Sequence, residues 1–503
     1  MITMTQWMNL RRGRGSRIGT ALALAVLTAG CESLLEVELP GQATEDGTFQ
    51  PSQASLLVNS AIADIECAYS DFTAFEAAGF DDATSRTVGW WGGRFERPPT
   101  PGTGSTCAGA QENTSGNWFI PFHKGRWMAE QVYARLENEW DVSLVSDREQ
   151  LMAISAIYAG IAYTYFGEFF CEVTANSGPL MSWDQSLDTA EAWYSRALGH
   201  IQTAGDFPIA TGITTSASQM AYLLRARARF LQNTPAKDAE AVQDAQQITQ
   251  GFRAVVTREA GAVRTRVNRV YSGHVGLGWV ALLGPIDWWT GAPDPVSGNP
   301  WPAVIPYTGY WALAVLPDGR TATDAGYPIT LSDAGAVADP RVPSLEVAPG
   351  GIGTISYPRW EQRKYATAGD DFPLVKWEEA WLIQAQVAGG QTAIDLVNEI
   401  RTAHGLPQVT YLGAGDAAGI QNMLLEEIRR VHFLEAGRWW STKLRNNLWF
   451  PRAQDSDPWN FTYQGGVRMV FPNAEFTQNP NLTEVGGLAL QGSFCPPNQN
   501  PLS

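Results

Sequence analysis

The sequence has 503 residues, of which 44% are hydrophobic and 17% are charged. This composition is typical of a folded globular chain and argues against a disordered or low-complexity one. The 35 Lys and Arg against 51 Asp and Glu give a formal net charge of −16, which argues against nucleic-acid binding because phosphate recognition needs a concentrated basic surface. The chain also contains 20 Trp, as many as its 20 Phe, so the tryptophans need an explanation.

The first 30 residues are typical of an export signal. Four arginines and no acidic residue precede an apolar run over residues 18–29, which is too short to span a bilayer. The run ends in LTAGC, which resembles the lipobox of bacterial lipoproteins. We therefore expect residues 1–30 to be removed and Cys31 to carry the lipid, with 31–50 as an extended tether. An ordinary secretory signal is the alternative.

Four cysteines remain after this cleavage, namely Cys67, Cys107, Cys171 and Cys495. An even number in an exported protein permits two disulfides, in three possible pairings. We favour Cys67 with Cys107 and Cys171 with Cys495, and free buried thiols are the alternative. Because Cys-x-x-Cys is absent and the five His are scattered, we expect no metal site.

Helical periodicity begins soon after the tether. Apolar spacing predicts a first helix over residues 52–70, followed by a Gly- and Pro-rich irregular region over 71–116. The clearest helix is predicted to begin at Ser146, with Glu149 completing a capping box.

Asp188 and Glu191 repeat this capping signature ahead of another helix. Further stripes of apolar residues at helical spacing lie over 220–231, 241–248, 377–385, 393–400 and 420–433. Paired short helices with Ala on their facing sides resemble tetratricopeptide units, although no strict repeat period survives. The predicted fold is therefore mainly α, with a helical-repeat scaffold over about 117–250 and 372–445. A loop-rich half with a few short hairpins would cover about 71–116 and 251–371, within a single domain over 51–503.

The predicted helix over 420–433 has charged residues on the face that is expected to be buried. Glu427 lies on the apolar face of the 420–433 helix, and Glu435 and Arg438 continue its line. A buried carboxylate needs a cationic partner, and Arg401, Arg438 and Arg430 are the available cations. We predict a structural ion network, with a catalytic carboxylate pair as the alternative.

These segments also carry a family resemblance. The matching runs are LVNEIRTAHGLP over 396–407, EIRRVHFLEAGRWWSTKLR over 427–445, DPR over 339–341, and the turn that contains Pro472, Glu475, Asn479 and Pro480. In this order they resemble the RagB/SusD family of nutrient-binding lipoproteins. Two departures are a glycine shifted by one position before Arg438, and Ser441 in place of a common Asp.

The resemblance implies a helical body with four tetratricopeptide-like helix pairs and a looped half that carries the ligand site. It also implies a partner, a TonB-dependent outer-membrane barrel of the SusC type, for which the chain would act as a lid. It implies no cofactor. The expected location is the bacterial outer membrane, lipid-anchored and exposed at the cell surface.

The loop regions contain residues suited to sugar capture, which uses flat aromatic surfaces together with polar side chains. Trp193, Trp377 and Trp381 lie on predicted helical faces and belong to the scaffold. The ligand-binding candidates in the loops are Trp90, Trp91, Arg94, Asp287, Trp288, Trp289, Asn299, Trp301, Tyr307, Tyr310 and Trp311. No catalytic motif is present, so we predict a non-enzymatic protein that captures a glycan or another oligomeric nutrient. The alternatives are a helical protein-interaction scaffold and a secreted glycoside hydrolase.

Overall fold

The computed structural model describes residues 45–79, 84–85, 119–209, 212–261, 266–271, 281–282, 314–321, 329, 331–350, 357–446, 468 and 479–482. The chain divides into two compact units, Met1–Gln50 and Pro51–Ser503. In the first unit, the described part contains one short helix, Glu45–Thr48. All that follows concerns the second unit.

Helices dominate the described part of the second unit. The longer ones are α1 Ala54–Gly79, α2 Phe119–Asn138, α3 Arg148–Phe169, α4 Trp183–Ala204, α5 Ala217–Leu231, α6 Pro235–Ala245, α7 Trp377–Ala388, α8 Gly390–Ala403, α9 Ala417–Val431 and α10 Arg438–Asn446. Single helical turns lie at Pro51–Gln53, Val142–Leu144, Arg269–Tyr271 and Pro480–Leu482.

Successive helices pack on one another in chain order. From α1 to α6 each helix packs against the one before it, α6 packs on α7, and α7 packs on α8. The eight helices thus form four consecutive pairs, as expected of a stacked repeat in which each unit contacts mainly its neighbours. The predicted mainly α, tetratricopeptide-like scaffold is confirmed.

Small residues allow the close packing of these helices. Ala61, Ala129 and Ala159 form one fully buried cluster between α1, α2 and α3. At Gly160 of α3, a Cβ atom would lie 2.6 Å from the Tyr194 ring of α4. Close approach lets large side chains on either side pack against the neighbouring backbone.

The first helix is longer than its sequence pattern indicates. It was predicted over 52–70, but α1 continues to Gly79, into the stretch that we expected to be irregular. Its extension is held by tertiary packing, because the buried Phe72 ring lies 4.6 Å from the Phe169 ring, centroid to centroid. The helix propensity of the local sequence does not include such a tertiary contact.

Both predicted capping boxes are wrong. Helix α3 begins at Arg148, and its N-cap Asp147 makes no side-chain cap. Glu149 is instead a hydrogen-bond partner of another helix, since its Oε2 lies 2.7 Å from His200 Nδ1.

Helix α4 begins before the predicted Asp188 cap. Its N-cap is Ser182, whose backbone N–H donates to Gln185 Oε1 over 3.0 Å. Glu191, inside the helix, receives a hydrogen bond from Lys237 Nζ at 2.6 Å and so ties α4 to α6.

The described strands form five antiparallel two-stranded sheets. They are β1 Thr84–Ser85 with β5 Ala281–Leu282, β2 Glu172–Val173 with β3 Met181–Ser182, β4 Arg253–Val256 with β10 Phe372–Lys376, β6 Ala314–Val315 with β7 Val337–Ala338, and β8 Ser344–Gly350 with β9 Tyr357–Gln362. Within the predicted loop-rich half, β6–β7 and β8–β9 pair successive strands, as the predicted short hairpins require. The β1–β5 and β4–β10 sheets pair strands that are far apart in the sequence.

The β4–β10 pair closes the base of the loop-rich half. Strand β4 follows α6, and β10 runs directly into α7. Phe372 pairs with Val256 at one end of this sheet, and Lys376 pairs with Arg253 at the other. The sheet brings the two ends of the intervening segment together, and in this way α6 and α7 become neighbours.

Candidate functional site

The predicted ligand-binding residues lie outside the described residues. This applies to Trp90, Trp91, Arg94, Asp287, Trp288, Trp289, Asn299, Trp301, Tyr307, Tyr310 and Trp311. It also applies to the predicted lipidation site Cys31, and to Cys107 and Cys495. What the structure describes is the frame from which the two tryptophan-bearing segments, 86–118 and 283–313, depart and to which they return.

Both segments depart from one small sheet. Segment 86–118 follows β1 and segment 283–313 follows β5, and these strands pair with Thr84 opposite Leu282 and Ser85 opposite Ala281. Paired strands lie about 4.8 Å apart. Strands of two residues carry no readable periodicity, so the sequence could not reveal this pairing.

The return of segment 283–313 is fixed by strand β6. Ala314 pairs with Ala338 of β7, and a small buried cluster of Ala314, Leu316 and Ile329 supports the strand. Strand β7 then leads directly into Asp339, which belongs to a buried ionic cluster. The end of the ligand-loop segment is thus anchored to the helical scaffold.

This first cluster joins the loop-rich half to α8 and α9. Arg341 Nη2 lies 2.7 Å from Asp339 Oδ2, and Arg341 Nη1 lies 2.6 Å from Glu427 Oε2. Arg401 Nη2 binds Glu427 Oε1 at 2.7 Å, and Arg401 Nη1 donates to the Gly319 carbonyl at 2.6 Å. Burial opposes ionisation of Glu427, but Arg341 and Arg401 outweigh it and lower the Glu427 pKa to about 2.

A second cluster centres on Glu435. Its Oε1 lies 2.5 Å from Lys364 Nζ and 2.6 Å from Lys376 Nζ, and its Oε2 lies 3.0 Å from His432 Nδ1. Despite burial, the two lysines hold the pKa of Glu435 well below its usual value. Burial lowers the pKa of His432, although Glu435 opposes this shift. Strands β9 and β10 are thereby tied to the turn after α9.

A third cluster lies within the scaffold. Arg438 Nη2 donates to Glu168 Oε1 at 2.7 Å, and Arg227 Nη2 lies 2.6 Å from Glu379 Oε2. Burial raises the pKa of Glu168, and Arg438 offsets this only in part. This cluster links α3, α5, α7 and α10.

The structure therefore distributes the predicted ion network over three clusters. Arg401 pairs with Glu427, Glu435 pairs with two lysines, and Arg438 pairs with Glu168. Arg430, also considered from the sequence, binds Glu426 at 2.7 Å through its Nε. Sequence reasoning missed the partners Glu168, Arg227, Asp339, Arg341, Lys364, Lys376 and Glu379, since they lie up to 270 positions from the residues they bind.

The environment of Glu427 and Glu435 does not support the catalytic alternative for this pair. Both carboxylates are buried, and their lowered pKa values keep them ionised at neutral pH. A general acid must hold a proton near the working pH and must reach its substrate. The pair is suited to holding the fold together.

Two predicted disulfide cysteines lie in the described region. Cys67 on α1 and Cys171 after α3 are each disulfide-bonded, so the free-thiol alternative is wrong for these two. The pairing with Cys107 and Cys495 stays a prediction.

The described residues contain neither a membrane-spanning helix nor a metal-binding group. None of the described helices is both long enough and apolar enough to cross a membrane. Within the same part of the chain, no group of three or more His, Cys, Asp or Glu is arranged to hold a metal ion.

Solved structures share this architecture. A SusD/RagB family protein from Bacteroides thetaiotaomicron matches at a TM-score of 0.51 and 12% identity, over 86% of this chain and 96% of that one. A protein crystallised with xylogluco-oligosaccharide matches at a TM-score of 0.50 and 11% identity, over 85% of this chain and 98% of that one. No family model and no curated protein matches the sequence. At such identities the likeness concerns the fold, and this chain has the SusD/RagB fold.

Proposed function

We propose, from the SusD/RagB fold, that this chain is a lipid-anchored outer-membrane protein that captures a glycan or another oligomeric nutrient at the cell surface. It would deliver the captured molecule to a TonB-dependent transporter of the SusC type. In this proposal the chain binds and hands over its ligand without chemical turnover, and it needs no cofactor.

The pairing of β1 with β5 is the observation that carries the proposal. Because of this pairing, the two tryptophan-bearing segments begin at adjacent strands. Sugar rings present C–H faces to aromatic side chains and hydroxyls to polar ones. Trp90, Trp91 and Arg94 on one segment, and Asp287, Trp288 and Trp289 on the other, supply both kinds of contact.

The fold comparison supports a carbohydrate ligand. One neighbour with the same fold was crystallised with xylogluco-oligosaccharide. The ionic clusters support a rigid frame for such a site, because Arg341 and Lys364 tie the returning strands to α9 and the turn that follows it.

Titration of tryptophan fluorescence with a glycan panel tests the capture site. We expect a ligand that changes the emission of the wild-type protein, and at least tenfold weaker binding in Trp90→Ala or Trp288→Ala. The control is Trp381→Phe, because Trp381 is a scaffold residue whose Nε1 donates to Glu399 at 2.6 Å. Unchanged affinity in both loop variants would remove these tryptophans from the site, and release of shortened sugars would favour a hydrolase.

Purification from membranes in mild detergent tests the transporter partnership. We expect an outer-membrane barrel to accompany the lipoprotein. Cys31→Ser should abolish labelling by a radioactive fatty acid and release the protein from the membrane fraction. If no barrel co-purifies, delivery to a transporter is contradicted, and a helical interaction scaffold becomes the better description.

A further inference from the structure

A surface cleft lies beside the β4–β10 sheet, and the described residues that line it are not among the predicted capture residues. Its volume is about 570 Å³, within the range of roughly 300–1,000 Å³ that small-molecule sites occupy. The turn between α4 and α5 and the start of β4 line it, together with Asp371.

The walls of the cleft are held by backbone pairing. Thr214 bridges to Ile209 across the α4–α5 turn and to Ala254 of β4. Ile209, Ile213 and Phe252 line the cleft and are otherwise buried, with 1%, 4% and 6% of their surface exposed. The cleft therefore has an ordered apolar floor before any ligand arrives.

Three polar side chains that line this cleft can form further hydrogen bonds. The exposed Arg253 side chain makes no ion pair within the described residues. Asp371 Oδ1 accepts from the Arg258 N–H at 2.6 Å, which leaves Oδ2 available. The Thr215 side chain is exposed at the same cleft.

The mouth of the cleft is open. Gly212 and Gly251 line it with φ angles of +89° and +86°, and a Cβ atom at either position would meet no atom of the described residues within 4 Å. These glycines leave space for a ring-sized ligand to approach the backbone.

We propose that this cleft binds a single sugar residue that carries a carboxylate, a uronate. The Arg253 guanidinium pairs with the carboxylate through two parallel N–H donors, a geometry that guanidinium and carboxylate groups favour. Thr215 and Asp371 Oδ2 bind ring hydroxyls, and the apolar floor contacts the C–H face. A carboxylate on the ligand would give Arg253 the acidic partner that the described residues do not supply.

Calorimetric titration of the detergent-solubilised full chain tests the proposal, with galacturonate and galactose as probes. We expect galacturonate to bind at least tenfold more tightly than galactose. Arg253→Gln should abolish this preference, and Thr215→Val should weaken both sugars. The matched control is Arg196→Gln, an exposed arginine that stacks on Trp193 with its Cζ 4.5 Å from the ring centroid and lies outside the cleft.

A Trp90→Ala/Trp288→Ala background separates this cleft from the proposed capture site. Galacturonate binding that persists in this background and disappears on adding Arg253→Gln supports the cleft, even if glycan capture by the loops fails. Loss of galacturonate binding in the tryptophan background alone would overturn the cleft. Equal affinity for the two sugars, or no binding of either at millimolar concentration, would also overturn it.

Discussion

Arg341 reaches from the loop-rich half to the α9 helix and places its Nη1 2.6 Å from Glu427 Oε2, with both side chains buried. The two residues lie 86 positions apart in the chain. Residues 339–341 directly follow strand β7. The ion pair therefore holds the end of the segment that returns from the predicted ligand loops against the helical scaffold.

Removal of the Arg341 cation should strongly destabilise the protein. In Arg341→Met, Glu427 and Asp339 lose their shared partner while staying buried, and breaking a buried pair in this way costs about 3–5 kcal/mol. Urea denaturation followed by circular dichroism measures the loss of unfolding free energy.

Arg320→Met is the matched control for this experiment. Arg320 Nε lies 2.7 Å from Asp318 Oδ2, but the two side chains are 41% and 35% exposed. An exposed pair contributes less than about 1 kcal/mol. Equal losses in the two variants would contradict a dominant role for the buried cluster.

The Glu427 carboxylate should make stability depend on pH in the acid range. Its pKa is about 2 in the folded protein, against an ordinary value of 4.5. Since the folded value is the lower one, the contribution is complete above pH 4.5 and is lost as the pH falls from 4.5 toward 2. The difference in unfolding free energy between wild type and Glu427→Gln should therefore shrink between pH 5 and pH 3. A constant difference over this range would show that the carboxylate is not held ionised by its arginines.

The scaffold could be predicted from sequence because its signals are local. Apolar stripes and small residues repeat at helical spacing in α3 to α9, and these signals were enough to predict paired helices. Helix ends were less predictable, since Glu149 has the spacing of a capping residue but hydrogen-bonds to His200 of another helix. The tertiary contact of Glu149 with His200 replaces the predicted local cap.

The frame of the candidate site could not be predicted for a related reason. Glu427 and Glu435 were recognised as charges on a core-facing line, but nothing near them in the sequence indicates Lys364 or Arg341 as their partners. Pairing of β1 with β5 joins residues almost 200 positions apart through two-residue strands, which are too short for an alternating pattern.

Gly319 should tolerate no side chain. Its φ angle is +89°, and a Cβ atom there would overlap the Gln408 carbonyl oxygen and lie 2.7 Å from Val409 Cα. Gly319→Ala therefore combines left-handed strain with a backbone clash and should cost about 3 kcal/mol or more. At Gly405, with φ of +68°, a Cβ meets no atom of the described residues within 4 Å, so Gly405→Ala should cost only about 1–2 kcal/mol. Thermal unfolding of the two variants would separate these contributions, and similar midpoints would refute the clash.

The disulfide of Cys171 should lead to the C-terminal tail. Cys171 Sγ lies 3.5 Å from the Arg468 carbonyl oxygen, and Asn479 Nδ2 donates to the Gly178 carbonyl at 3.0 Å. The described parts of the tail thus lie against the turn that follows Cys171. This position favours Cys495 as the partner of Cys171, which leaves Cys107 for Cys67.

Peptide mapping without reduction measures this pairing directly. We expect one cross-linked peptide that contains Cys171 and Cys495 and another that contains Cys67 and Cys107. In Cys495→Ser, alkylation of the unfolded chain should label Cys171 and leave Cys67 protected. The variant should also lose about 2–5 kcal/mol of stability, as is typical when a native disulfide is removed. Labelling of Cys67 in this variant would show that the pairing is crossed, because Cys495 would then be its partner.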